Sequence, residues 1–232
     1  MTHALILSGA GRYDDPWHPF AQTSACLAEI LAGCGVTATI VTDVDEAMTR
    51  LDGVDLLVVN AGDSSRNDGP APDLTAPDLT AARAGFAAGL ERGIAVLGTH
   101  TAAASLTDYP GWEGVLGGRW LPGQSMHPPI GPTRITLFTD RHPLLAGLAD
   151  FDTFDERYSH LRVAPDVVPL AAHTLDGVEH PLLWARTIGA SRVVYSALGH
   201  DARAYASPEL RELLARAIRW LIPSDLLLTL EA

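Results

Sequence analysis

Four short apolar runs in the first hundred residues constrain this fold more than any other feature: Ala4–Ser8 (ALILS), Val36–Val41, Val54–Asn60 (VDLLVVN) and Ile94–Gly98. Each has the length of a β-strand, and VDLLVVN is apolar on both alternating faces, as a strand buried between two helix layers requires. Between the runs the periodicity changes. Phe20, Ala21, Ser24, Leu27, Ala28 and Leu31 recur at helical spacing from about Pro19 and stop at Gly33-Cys34-Gly35. A second helix is predicted over roughly residues 76–92, with Thr75 as N-cap and Gly93 just past its end. Strand and helix alternate, which predicts an α/β fold: an open, mostly parallel sheet with helices on both faces.

The second half is less regular. A Gly-, Trp- and Pro-rich segment over residues 110–132 leads to strand candidates at Thr133–Phe138, Val167–Ala172, Pro181–Arg186 and Arg192–Leu198. The run GTHTAAAS at 98–105 reads as a strand end, a turn and then a helix of small residues. A helix over Pro208–Leu221 is well signalled by Ser207 as N-cap, Pro208 at the first position and Glu209 in the first turn, with Pro223 as its stop. No composition break marks a boundary, so residues 1–232 are expected to form one domain. The apolar tail Leu226–Leu228 has two destinations open to it, the sheet edge or a second copy in a homo-oligomer.

Charge and length exclude several functions. With 28 acidic and 16 basic side chains the formal net charge is −12, the wrong sign for non-specific binding to nucleic acid or an anionic membrane. No apolar run approaches the roughly 20 residues that span a bilayer, and the N-terminal one lacks a basic flank, so a cytoplasmic location is expected. Cys26 and Cys34 lie too far apart on one predicted helix to pair and form no metal-type CxxC, so reduced thiols are expected.

In an open parallel sheet, ligands bind beyond the carboxyl ends of the strands. Just past those ends the sequence places Arg12, Asp14, Asp15, Trp17 and His18; then Asp63 and Ser64; then Thr99 and His100; then Gly199, His200 and Asp201. Three of the nine histidines thus converge on one end of one sheet. Imidazoles there suit general acid/base work near neutral pH or ligation of zinc or another divalent ion, although any one of them alone is equally a capping residue. Trp17, Trp112 and Trp120 are candidates for an apolar wall, or for core. Other chemistries lack their signatures. Gly9-Ala10-Gly11 begins a dinucleotide fingerprint, but Asp14 stands where the third glycine belongs, and there is no phosphate loop, HExxH or GxSxG. Ser105 and Ser125 have no support as nucleophiles. In FDTFDERY, Asp155 and Glu156 point different ways, so either one enters a pocket or both belong to a solvated turn paired with Arg157.

The strings GTHTAAASLTDYPGWEGVLGGRW, MHPP, DRHPLLAGL, FDERY, PLLWAR and RVVYSALGH, in that order, resemble the trehalose-utilisation (ThuA-like) family of the class I glutamine-amidotransferase-like superfamily. The resemblance implies a flavodoxin-like sheet and a small-molecule substrate, a sugar. It matches His18 in DPWHPF to the family's His at the first helix. It matches His100 to the His at the elbow where amidotransferases carry Cys, and His127 to the His after the GG-aromatic segment. Glu156 and Tyr158 match the E-x-Y motif, and His200 the terminal GH. His142, before Pro143, reads as a structural turn cap. The sequence departs from the family pattern at Arg92-Gly93, where a glycine-rich run is reduced, and over Gly118–His127. The expectation that follows is an enzyme acting on a carbohydrate or keto-sugar derivative by acid/base or metal-assisted chemistry. Glu156 and His100 would move protons, His127 and Tyr158 would contact substrate, and His18 and His200 would orient hydroxyls. The candidate ligands for a divalent metal, zinc or manganese, are His18, His100 and His200. Without Cys at the elbow, glutamine hydrolysis is not expected. The rival expectation is a non-catalytic sugar-binding or assembly domain that kept the pocket.

Overall fold

A computed structural model describes residues 2–64 and 79–222. The expected N-cap Thr75, the stop at Pro223 and the tail Leu226–Leu228 lie outside the described residues. In chain order the elements are β1 (His3–Ser8), α1 (Phe20–Gly33), β2 (Thr37–Val41), α2 (Val44–Met48), β3 (Leu56–Asn60), α3 (Thr80–Glu91), β4 (Ala95–Thr99) and α4 (Trp112–Leu116). They continue with β5 (Gly118–Arg119), β6 (Gly131–Leu137), β7 (Phe151–Asp155), β8 (Arg162–Val163), β9 (Val168–Leu175), β10 (Val178–Ile188), β11 (Ser191–Ser196) and α5 (Pro208–Leu221).

Nine strands form one sheet in the order β2-β1-β3-β4-β11-β10-β9-β6-β7, with β5 and β8 as a separate two-stranded ribbon. The first five are parallel neighbours, and β3 and β4 are buried along their whole length, as the apolar runs predicted. Beyond β11 the pairing turns antiparallel through β10, β9, β6 and β7, a four-stranded wing on the parallel core. From β1 the chain crosses to β2 on one side, and from β3 to β4 on the other. Right-handed crossovers therefore put α1 and α3 on opposite faces, and the packing agrees: α1 rests against α5, and α3 against α2. The crevice at this reversal opens at the carboxyl ends of β1 and β3.

After β4 the expected helix of small residues does not form. His100–Ala103 makes only a 3₁₀ turn, and the next α-helix starts at Trp112. The cause is backbone: His100 sits at φ +43° and Leu106 at φ +51°, both left-handed, which no α-helix accommodates. The Tyr195 hydroxyl holds the His100 carbonyl at 2.8 Å in that conformation. Gly98 lets the turn close, since a Cβ there would stand 2.5 Å from Leu116 Cδ1 and 3.2 Å from Ala102 Cβ.

Candidate active site

Four side chains from four separate segments meet over the carboxyl ends of the parallel strands: His18, His100, Glu156 and His200. One ligand-type atom from each lies within 4.8 Å of all the others. His100 comes from the turn after β4, and His200 follows β11. Glu156 directly follows the wing strand β7, and His18 lies in the loop entering α1. The imidazole centroids of His18, His100 and His200 stand 4.7–5.2 Å apart.

Hydrogen bonds fix the orientation of these rings. His100 is buried, and its Nδ1 donates to the Ala197 carbonyl at 2.7 Å. With the proton on Nδ1, the neutral ring turns the Nε2 lone pair to the cleft, where the Tyr158 hydroxyl donates to it at 3.0 Å. Burial keeps this ring neutral, pushing its pKa down to about 4. In His18, Nδ1 donates to both Asp15 carboxylate oxygens at 2.7 and 2.8 Å. Its Nε2 is buried and, among the described residues, has no hydrogen-bond partner. The Glu156 Oε2 atom lies 3.3 Å from His100 Nε2 and 3.3 Å from His200 Nδ1. Burial raises the Glu156 carboxyl, but the two imidazoles outweigh it and hold the group well below the usual carboxylate range. Burial likewise lowers His200, and Glu156 followed by Asp155 outweighs it, leaving the ring above its ordinary value.

Asp155 is the positioning residue of the group. Fully buried, it accepts backbone N–H groups from Glu156 (2.8 Å), Gly199 (2.7 Å) and His200 (3.1 Å), so one carboxylate ties the end of β7 to the loop after β11. The solvated acidic turn paired with Arg157 is therefore wrong, because Asp155 is spent on backbone donors and Glu156 faces the imidazoles. Burial pushes the Asp155 pKa up to about 7 against these three hydrogen bonds.

A cleft of about 590 Å³ opens above the cluster, a volume typical of small-molecule sites. Trp17, Asp63, Trp120, His127 and Tyr158 line it. Trp120 packs on Tyr158 and His127, with ring centroids 4.6 and 5.9 Å away, and Trp17 stands exposed at the rim. His127, at the half-open mouth, puts Nδ1 3.5 Å from Glu156 Oε1. Trp112 is no part of this wall: it is buried core, its Nε1 donating to the Ala102 carbonyl. Arg12 is likewise taken up elsewhere, in ion pairs with Asp45 and Asp108 that brace the loop after β1. His142 caps the 3₁₀ turn Pro143–Leu145, its Nδ1 accepting from the Leu144 N–H, as its sequence context indicated.

The ThuA family model, described as trehalose utilisation, matches residues 3–221. The chain belongs to this family. Solved structures agree on the fold. A ThuA-like protein from Parabacteroides merdae superposes with a TM-score of 0.75 at 18% identity, over 95% of this chain and 89% of that one. Another from Bacteroides uniformis gives 0.72 at 20% identity, over 95% and 91%. A glutamine amidotransferase from Thermotoga maritima gives 0.55 at 13% identity, over 96% and 99%. A search of curated proteins gave no match. Among the described residues of this ThuA-family chain, no helix is long and apolar enough to cross a membrane.

Asp15, Asp155 and the Ala197 carbonyl, which orient the cluster, were not singled out for these roles by sequence. Asp15 carried a readable signal, the Asp-x-x-His spacing to His18. Two of the three partners of Asp155 lie 44 and 45 residues away, a distance no local pattern reports.

Proposed function

We propose that this ThuA-family protein is an enzyme acting on a carbohydrate or keto-sugar derivative held in the cleft above His100 and Glu156. One observation carries this reading: three imidazoles and a carboxylate, His18 and His100 each oriented by a further hydrogen bond, meet at and just beneath the floor of a cleft of ligand size. Such a set moves protons at, or polarises, a hydroxyl or carbonyl oxygen, the groups a sugar presents. The family description, trehalose utilisation, supports a sugar as the substrate class. Trp17 and Trp120 supply ring faces for its apolar side, and Asp63, Glu156 and His127 line the same cleft with polar groups for its hydroxyls.

Glutamine hydrolysis is not the reading the site supports. That reaction needs an activated thiolate at the elbow after β4, where this chain has His100. Cys26 lies within α1 and Cys34 just past its end, neither lines the cleft, and burial raises both thiols. The replaced nucleophile also favours a second reading, a sugar-binding domain without chemistry. Turnover separates the two. Screened against sugars and their keto derivatives, the wild type is expected to convert at least one, and His100→Ala to lose about 10²-fold or more in kcat while keeping its far-UV spectrum and melting cooperatively. Full activity in His100→Ala refutes the assignment, and binding with no turnover selects the second reading.

A further inference from the structure

Three separations in the cluster are equal. His100 Nε2 to Glu156 Oε2, His200 Nδ1 to Glu156 Oε2, and His100 Nε2 to His200 Nδ1 are each 3.3 Å. A hydrogen bond alone does not produce this triangle. One proton between a carboxylate and an imidazole draws its own pair to about 2.7–2.9 Å and leaves the third atom farther off. A tetrahedral metal ion does produce it: bonds of about 2.0–2.1 Å to nitrogen and oxygen place neighbouring ligand atoms about 3.3 Å apart, the edge of the tetrahedron. We infer that His100 Nε2, His200 Nδ1 and Glu156 Oε2 form one face of a zinc-class divalent metal site, with His18 Nε2 as the fourth protein ligand.

The surroundings fit this assignment. His18 Nε2 is a buried nitrogen with no hydrogen-bond partner among the described residues, a costly arrangement that a metal relieves. The other nitrogen of His18 is held by the Asp15 carboxylate and that of His100 by the Ala197 carbonyl, the outer contacts by which metal-binding imidazoles are fixed in one tautomer. Asp155 fixes the backbone of the remaining two ligands. The donor set selects the ion. Three imidazoles and one carboxylate suit zinc, whereas calcium and magnesium require mainly oxygen ligands. The Tyr158 hydroxyl, now on His100 Nε2, is released by metal ligation to meet a substrate oxygen entering from the cleft. The inference deepens the proposed function and depends on it only for naming this cleft as the working site.

The test is metal content of protein purified without chelator or polyhistidine tag, then stripped and titrated with zinc. About one zinc per chain is expected, with His200→Ala and Glu156→Gln binding at least about tenfold more weakly. Because a ligand variant risks misfolding, Asp15→Asn is the second probe. Its amide oxygen still accepts the Trp17 and His18 backbone N–H groups while the carboxylate charge on His18 Nδ1 is lost, and it is expected to weaken zinc by roughly 10–100-fold with an unchanged far-UV spectrum. X-ray absorption of the zinc-loaded protein should show a nitrogen and oxygen shell near 2.0 Å without sulfur. Folded protein that takes up only substoichiometric zinc overturns the inference, as does wild-type affinity in both His200→Ala and Asp15→Asn. Stoichiometric zinc with no turnover leaves the metal site standing and sinks the enzymatic reading, and turnover by folded protein that takes up no zinc does the reverse.

Discussion

Replacing Asp155 tests whether the cluster is built around a single buried carboxylate. Its Oδ1 accepts from the Glu156 and His200 N–H groups and its Oδ2 from the Gly199 N–H, the first and last shut off from solvent and the His200 bond partly so. Asp155→Ala strands three buried donors at once. Each unsatisfied donor costs about 1–3 kcal/mol, and partial entry of water keeps the sum near the lower half of that range, about 3–6 kcal/mol. Asp155→Asn is milder. Its carbonyl oxygen keeps the two Oδ1 bonds, and its amide group opposes the Gly199 N–H, for about 1–3 kcal/mol. At this chain length 1 kcal/mol moves Tm by about 2–4 °C, so the alanine variant should melt roughly 6–24 °C below wild type and the asparagine variant roughly 2–12 °C below. Differential scanning calorimetry measures both. The ordering is the sharper part, since a carboxylate kept for its charge would make Asn nearly as harmful as Ala. An Asp155→Ala protein that melts within about 2 °C of wild type refutes the argument.

Other consequences follow from single contacts. Gly98→Ala drives a methyl into Leu116 Cδ1 at the foot of the elbow, which overpacks the core by about 1–3 kcal/mol; a Tm equal to wild type contradicts this. Burial lowers the His173 pKa from 6.5 to about 4, helped by His180 and Arg157, so the unfolded chain takes up this proton first as pH falls. The stability is complete above about pH 6.5 and is lost progressively toward pH 4, by about 2–3 kcal/mol. Urea unfolding at several pH values should show this slope flattened in His173→Asn, and parallel slopes would disprove it. Glu156→Gln keeps the shape of the side chain but removes its charge between His100 and His200. Turnover should fall about 10²-fold or more with little change in Tm, and an active variant removes Glu156 from the reacting centre.

The parallel core was legible because its strands are buried on both faces and so appear as unbroken apolar runs. β7 was not legible, because FDTFD alternates and carries two acids, and it reads as a turn by composition. In the sheet Phe151 and Thr153 face inward, Asp152 faces out, and Asp155 goes inward only because three backbone donors await it. α2 escaped for its brevity, although Asp43 caps it by accepting the Glu46 N–H, a signal present in the sequence. The small residues after His100 read as a helix because propensity is additive along a window, whereas one left-handed residue ends a helix wherever it falls.

The site divides along the same line. Positions just past predicted strands pointed to His18, His100 and His200, since topology alone brings strand ends together. Glu156 came through the resemblance, and Trp112, open between wall and core by sequence, is core, its indole donating to the turn from beneath. What the sequence left unread is the orientation of the rings: Asp15 and the Ala197 carbonyl decide which nitrogen of His18 and His100 faces the cleft, Asp155 sets the backbone that carries Glu156 and His200, and each acts through a contact that only the folded chain creates. That orientation is what chemistry depends on. A His100 ring flipped about its axis would present an N–H where the cluster has a lone pair. It would repel the Tyr158 hydroxyl proton and offer nothing to a cation. The Ala197 carbonyl, a backbone atom that no side-chain motif records, therefore fixes the ring face on which both the proposed metal and the proposed reaction rely.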